Sequence, residues 1–334
     1  MPLTKNATFR QLATFHAVAR LGSVSAAADE MHLTQPAVSL QIASLEESAR
    51  TQLLQRTGRG IRLTEAGELL DGYARRILEL WREAGEEMAT LQGVFSGTLR
   101  VGAITTAEYL LPPMLVTFAN EHPGVKVNLQ VGNRDEIVRM LGSQELDLAI
   151  MGRPPAELKT LSTPFAKHPM AFMVAPTHAL MQGTKGGKVK AVTMAQLSEQ
   201  RILVRERGSG TRATIERLFK DAALPLRIGS EMSSNEAIKH MCAAGFGVAF
   251  LSMHTCVLEM EAGVLALLPM EHNPIERDWH VMHLASRQLP QVALAFEKFL
   301  CTRGQAEIAR QLGPAPAKPA PPRPRKTRRA AVRA

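Results

Sequence analysis

The spacing of helix breakers in the first seventy residues constrains this chain more than any other feature. Between Phe9 and Gly67 the sequence is interrupted twice, at Gly22-Ser23 and at Leu33-Thr34-Gln35-Pro36, which leaves three short helical stretches. Leu12, Phe15 and Ala19 recur at helical spacing and predict a helix over Phe9 to Arg20. Ser25 can cap a second, alanine-rich helix from Ala26 to Met31. Thr34 can cap a third, with Gln35 and Pro36 in its first turn, where the missing N–H of proline is harmless. Val38, Ile42 and Leu45 form its buried stripe, so Pro36, Ser39, Leu40 and Ala43 must face outward, with Gln35 at the flank.

An outward face with so little charge is odd for an ordinary surface helix and suits one that reads base edges. Glutamine can pair with adenine, serine with either kind of base, and small apolar groups can touch a thymine methyl. Downstream, Leu53 to Arg56 and Ile61 to Leu63 flank Thr57-Gly58-Arg59-Gly60, whose glycines allow a hairpin tip. Arg59 on that tip is placed for a phosphate or the minor groove. Helices joined by a tight turn and followed by a two-stranded wing place one helix in the major groove of DNA.

Charge alone would be a poor guide to such a role. The formal net charge is +9, but Lys318, Arg323, Arg325, Lys326, Arg328, Arg329 and Arg333 lie in a final stretch without acids, so the rest is only about +2. Proline, alanine and basic residues from Pro314 onward predict disorder, and this tail either adds non-specific phosphate contacts or only solubilises. No apolar run is long enough to span a membrane and no leader-like segment opens the chain, so a cytoplasmic location is expected. Three cysteines, Cys242, Cys256 and Cys301, lack metal-type spacing and fit a reducing compartment. No metal or cofactor is expected.

Thr64 can cap a long helix to about Gln92. Ala66, Leu70, Tyr73, Ile77, Trp81, Ala84, Met88 and Leu91 form a narrow heptad-like seam along it, with one irregular step at Ile77 to Trp81. The seam predicts a dimerisation helix, and a dimer supplies the two reading helices that paired half-sites need. From Thr98 the pattern becomes strand–helix alternation, an α/β arrangement in two lobes, with ligands expected where strand ends meet helix starts.

At those positions lie groups suited to an anion. Thr105 and Thr106 follow the first strand, and Arg153 follows another. Arg205, Gly208 and Thr211 fall in a glycine-containing link between strand and helix, and Asn235 opens a further helix. Gly245 and Gly247 do not make a dinucleotide loop, because position 250 is Phe. Two other readings stay open: a redox sensor using Cys242 and Cys256, and an enzyme, although no Gly-x-Ser-x-Gly, HExxH or Walker motif is present.

Arg10-Gln11-Leu12, Ser23 to Ala27, Leu33 to Ser39, Gln41-Ile42, Leu45-Glu46 and Leu63 to Gly67 together resemble the N-terminal domain of LysR-type transcriptional regulators. The resemblance implies DNA contacts at Gln35, Pro36, Ser39 and Arg59, and Ser25, Thr34 and Leu40 complete the expected DNA-facing set. Leu40 stands where the family often has Arg, Lys or Met, Gln55 replaces a common Glu, and Ala49-Arg50 replaces the usual Leu-Gly. The family implies an N-terminal all-α winged helix-turn-helix over 1–64, a linker helix over 65–97 and a two-lobe, type 2 periplasmic-binding-protein-like effector domain over 98–302. Its lobes would be 98–165 with 269–302, and 166–268, followed by the tail, 303–334. The family also implies a dimer and a tetramer. Thr105 to Tyr109, Val131 to Arg134, Ala149 to Pro155 and Glu206 to Arg212 further resemble the branch that controls Calvin-cycle (RuBisCO) operons, which implies phosphorylated metabolites or NADPH as effectors.

Overall fold

The computed structural model describes residues 6–58, 60–91, 95–182 and 191–312. The chain forms two compact units, Met1–Val94 and Phe95–Ala334.

In the first unit the turn signals act as written, with one shift. Helix α1 (Phe9–Leu21) ends at Gly22, whose φ of 63° is the left-handed conformation that glycine adopts without strain. Ser23, not Ser25, then accepts a hydrogen bond from the Ala26 N–H and caps α2 (Val24–Glu30). Ser25 lies inside the helix and is exposed. Helix α3 (Gln35–Ala49) is capped by Thr34 and buries Val38, Ile42 and Leu45. It ends on Arg50, held at a φ of 55° where glycine would be unstrained.

The wing pairs β1 (Leu54–Thr57) with β2 (Gly60–Leu63). Arg59, expected at its tip, lies outside the described residues. Glu46 on α3 fixes the wing's start, because its Oε1 accepts the N–H groups of Leu53 and Leu54. Helix α4 (Glu65–Leu91) follows, with Thr64 accepting the Gly67 N–H and donating to the Gln52 carbonyl.

The expected seam on α4 is not uniform. Ala66, Leu70 and Ala74 pack into the core of the first unit with Phe15, Val18 and Leu45. The DNA-reading fold therefore does not stop at residue 64, and the start of the linker helix belongs to it. From Tyr73 onward Ile77, Leu80, Trp81 and Met88 are exposed.

The second unit holds two five-stranded sheets among its described residues. One contains β3 (Gly97–Ile104), β4 (Val125–Gly132), β5 (Leu148–Met151), β6 (Thr160–Lys167) and the late β12 (Asp278–Leu284), in the order β4-β3-β5-β12-β6. Helices α5 (Leu111–Glu121) and α6 (Arg134–Gly142) belong to this lobe I. The other sheet contains β7 (Met170–Val174), β8 (Ile202–Arg205), β9 (Ile228–Met232), β10 (Val248–Ser252) and β11 (Ala266–Leu267), in the order β11-β7-β10-β8-β9. With α7 (Met194–Ser198), α8 (Gly210–Asp221), α9 (Asn235–Ala243) and α10 (Val257–Glu261) it makes lobe II.

Two features differ from the sequence reading. Strand β6 runs to Lys167, so the chain leaves lobe I at His168-Pro169 rather than at residue 166. Helix α11 (Gln291–Leu312) continues through 303–312, which was expected to be tail. Gly304 makes this packing possible, since a Cβ there would come within 2.5 Å of the Phe165 ring.

Lobe I is pinned by Asp147, which is 1% exposed and pairs with Arg100 at 2.7 Å and Arg287 at 3.0 Å. The lobes are joined where the two crossing strands pair. The His168 N–H donates to the Arg277 carbonyl at 2.7 Å, and Met170 and Ile275 exchange both backbone hydrogen bonds.

A Cβ at Gly67 would stand 2.0 Å from the Leu53 carbonyl oxygen, a rigid backbone atom that also accepts the Thr64 N–H. Gly67→Ala should therefore lower the stability of the first unit by about 1–3 kcal/mol, read by chemical denaturation of the full chain.

Candidate functional site

Two surfaces carry chemistry, one in each unit. On the first, Gln35, Pro36, Ser39, Leu40 and Ala43 are exposed along α3, and Leu40 is 72% exposed. Thr34 is exposed but its hydroxyl accepts the Ala37 N–H, so its structural duty is to start the helix. The face is held from behind. Thr14, fully buried, donates to Gln41 at 2.6 Å, and Gln11 donates to Ser44 at 2.8 Å. Sequence reasoning did not single out Arg56, which lines a shallow groove together with Ser39 and Ala43. The strand alternation carries the signal: Arg56 pairs with Ile61 in the wing, and its side chain is exposed.

The second surface is a cavity of about 330 Å³ between the two lobes of the second unit. Lobe I contributes Thr106 after β3, Gly152 and Arg153 after β5, and Arg134 with Glu157. Lobe II contributes Gly210, Thr211, Thr214 and Arg217 from α8, and the crossing strands contribute His168, Met170 and Arg277. These positions follow from the topology, because the ends of parallel strands and the starts of helices open into the crevice.

The cavity's electrostatics are unbalanced. Arg134 is neutralised by a two-pronged pair with Glu157, at 2.8 and 2.9 Å. Those hydrogen bonds hold the Glu157 carboxyl down to about 2. Arg153, Arg217 and Arg277 have no carboxylate partner among the described residues. Arg277 donates only to neutral oxygens, the Thr214 hydroxyl at 2.8 Å and the Gly152 carbonyl at 3.2 Å. Burial first, and then the charges of Arg217 and Arg153, lower its proton affinity. Two buried polar groups on the wall, the Thr106 hydroxyl and the His168 ring, have no hydrogen-bond partner among the described residues. Three uncompensated guanidinium groups and unpaired hydrogen-bonding groups around one void are equipped for an anion.

The residues singled out from sequence divide three ways. Thr106, Arg153 and Thr211 line this cavity. Gly208 lines an adjoining cavity of about 360 Å³ with Asp135 and Arg207. Thr105, Arg205 and Asn235 line neither of these two cavities, and instead form a pin between the lobes. Arg205 is 1% exposed, donates to Thr105 at 2.9 Å and to Asn235 at 2.6 Å, and is neutralised by Glu206 at 2.7 Å. Its charge is spent within the protein.

Arg217 and Arg277 escaped the sequence reading, in which His168 stands only as a structural histidine near a strand end. Arg217 carried a faint signal, lying three residues after Thr214 and six after Thr211, on one helix face. Arg277 and His168 carried none, because only the crossing of the two strands brings them together.

The cysteines are placed against redox chemistry. Cys242 and Cys256 are buried, and burial pushes their thiols up to about 11 and about 12 respectively. Cys242 donates to the Met173 and Gly247 carbonyls. Among the described residues no group of His, Cys, Asp and Glu is arranged to hold a metal ion, and no helix is long and apolar enough to cross a membrane.

Comparison with known proteins identifies the family of both units. Residues 9–68 match the family model described as bacterial regulatory helix-turn-helix protein, lysR family, and residues 92–304 match the LysR substrate binding domain. The chain is similar to the HTH-type transcriptional regulator CbbR of Rhodospirillum rubrum, at 42% identity over 87% of this chain and 95% of that protein. It is also similar to the HTH-type transcriptional regulator CfxR of Cupriavidus necator, at 38% identity over 92% and 95%. Among solved structures, the CcmR regulatory domain of Synechocystis PCC6803, in complex with 2-PG, matches with a TM-score of 0.58 and 34% identity. That match covers 62% of this chain and 97% of the domain.

The thiol environments predict a simple chemical outcome. At pH 8 a disulfide reagent such as Ellman's should titrate only the exposed Cys301 in the folded protein. Cys242 and Cys256 should react only after unfolding, because neither forms thiolate while buried.

Proposed function

This chain belongs to the LysR family of DNA-binding transcription regulators, and from that membership we propose that it controls carbon-fixation genes in response to a small phosphorylated carboxylate bound between its lobes. The observation that carries the ligand class is the convergence of Arg153, Arg217 and Arg277, none with a carboxylate partner among the described residues, on one cavity of about 330 Å³. They come from lobe I, lobe II and the crossing strand, so one anion could bridge all three. A ligand shifts a conformational equilibrium only by binding one state better. Here the state in which the three guanidinium groups surround the anion is the favoured one.

The gene class rests on likeness to CbbR and CfxR, and on the CcmR domain, whose bound 2-PG is a small anion. DNA is read by the α3 face, with Gln35 and Ser39 at base edges, Leu40 against an apolar base group, and Arg56 and Arg59 on the backbone. Two copies joined through the exposed α4 face of Tyr73, Ile77, Leu80, Trp81 and Met88 present two such helices to half-sites, and two dimers make the tetramer.

Calorimetry on the full chain with 2-phosphoglycolate, phosphoenolpyruvate, sugar phosphates and NADPH tests the ligand. Arg153→Ala and Arg217→Ala should each weaken binding of the best ligand by about tenfold to hundredfold. Absence of binding by every anion tested defeats the ligand assignment. Mapping of bound genomic sites tests the gene class: sites upstream of RuBisCO genes are expected, and sites confined to other pathways overturn it.

A further inference from the structure

His168 occupies the point where the chain leaves lobe I, and its ring is packed between an aromatic face and a glycine. It stacks on Trp279 with ring centroids 3.7 Å apart and planes 14° from parallel. Its backbone N–H is held by the Arg277 carbonyl. Gly152 lies against its edge so closely that a Cβ there would approach Nδ1 to 2.9 Å. The residue is 2% exposed, yet neither ring nitrogen has a hydrogen-bond partner among the described residues. Buried polar atoms without partners are rare in folded proteins. His168 and Thr106 both line the interlobe cavity, and the Thr106 hydroxyl likewise has no partner among the described residues; the ring nitrogens are enclosed in that wall, so a ligand reaches them as the wall gives way.

We infer that His168 contacts the anion bound in this cavity and takes up a proton from solvent as the anion enters, so that effector binding is proton-linked. The inference rests on the cavity being the effector site. A neutral imidazole offers one donor and one acceptor, whereas an imidazolium offers two donors. A phosphate or carboxylate ligand presents acceptors, so the protonated ring is its better complement.

The surroundings set the direction of the change. Arg277 on the second crossing strand, Arg153 from lobe I and Arg217 from α8 face the same cavity, with Arg134 compensated there by Glu157. The Lys167–Asp278 pair, at 3.0 Å, flanks the crossing from the exposed side. His254 from lobe II lies 6.2 Å from the His168 ring and accepts the Trp279 indole N–H, and burial holds it down to about 4. In the empty cavity burial comes first, and then His254 and Arg277, in keeping His168 neutral. An entering anion offsets the arginine charges and offers the ring an acceptor. The Trp279 face beneath the ring also favours a cation.

Since the ring's proton affinity is higher in the complex, ligand affinity rises as pH falls between the bound and free values of His168. Above the bound value the dependence disappears. The slope is at most tenfold in affinity per pH unit for one proton.

The test is calorimetry of the full chain with 2-phosphoglycolate from pH 6.5 to 8.5, in phosphate-free buffers of different ionisation enthalpy, for wild type and His168→Gln. Titration of the ligand itself is common to both proteins and cancels in the difference. The expected result is greater proton uptake by wild type, up to one proton per ligand, with weaker but retained binding by the variant. Equal uptake with binding intact overturns the inference and leaves the effector reading standing. If neither 2-phosphoglycolate nor inorganic phosphate binds wild type, or if Arg153→Ala binds as well as wild type, the cavity reading falls and the inference with it. Should His168→Gln fail to fold, the Cε1–H resonance of His168 in the wild type decides. A downfield shift on adding ligand at pH 7 supports proton uptake, and an unmoved resonance refutes it.

Discussion

Arg277 is the residue on which the geometry of the second unit turns. One of its guanidinium nitrogens donates to Thr214 in lobe II and another to the Gly152 carbonyl in lobe I, while its own carbonyl accepts the His168 N–H of the opposite crossing strand. Four segments are thus tied through a single side chain and its backbone. All of these partners are neutral. The hydrogen bonds fix the guanidinium in place without cancelling its charge, and burial makes an uncancelled charge costly. The structure therefore holds a cation in position at the centre of a crevice and leaves its compensation to something else.

Arg205 shows the alternative. It also joins the lobes, through Thr105 of lobe I, while Asn235 holds it from its own lobe, but Glu206 lies beside it and supplies the opposite charge. Arg212 is treated likewise, paired with Glu216 at 2.5 Å and Glu231 at 3.0 Å. A buried, neutralised arginine can serve as a structural pin in every state of the protein. An arginine held only by hydroxyls and carbonyls is suited to a ligand. The two kinds lie within one domain, and it is the neighbouring carboxylates that distinguish them.

That distinction explains what could be read from the sequence. The reading helix was legible because its determinants are local: Thr34 caps it, Pro36 fits its first turn, and Val38, Ile42 and Leu45 repeat at its period. Ser23 and Ser25 could not be told apart as caps, because both precede an alanine-rich run and only the backbone angles decide between them. Strand β6 is hard to read from sequence because Pro164 interrupts its pattern, which an edge strand tolerates. The last three turns of α11 were missed because Thr302, Arg303 and Gly304 look like a stop, whereas Gly304 is where the helix meets Phe165. At the cavity, positions next to parallel-strand ends were legible and their ion-pairing was not. Arg205 looked as suitable as Arg153 until Glu206 was seen to neutralise it, and Arg277 acquires its role from residues more than sixty positions away.

Three uncompensated arginines have a consequence for the lobes as well as for the ligand. Like charges facing one cavity repel, and the repulsion grows as they approach in a medium less polar than water. Arg153 and Arg217 lie on different lobes, and both are close enough to Arg277 to lower its proton affinity. Drawing the lobes together around an empty cavity works against that repulsion. An anion changes its sign, since each guanidinium then gains an oxygen partner as the lobes approach. On the proposed reading, the charge that opposes approach of the lobes is the same charge that an anion would offset.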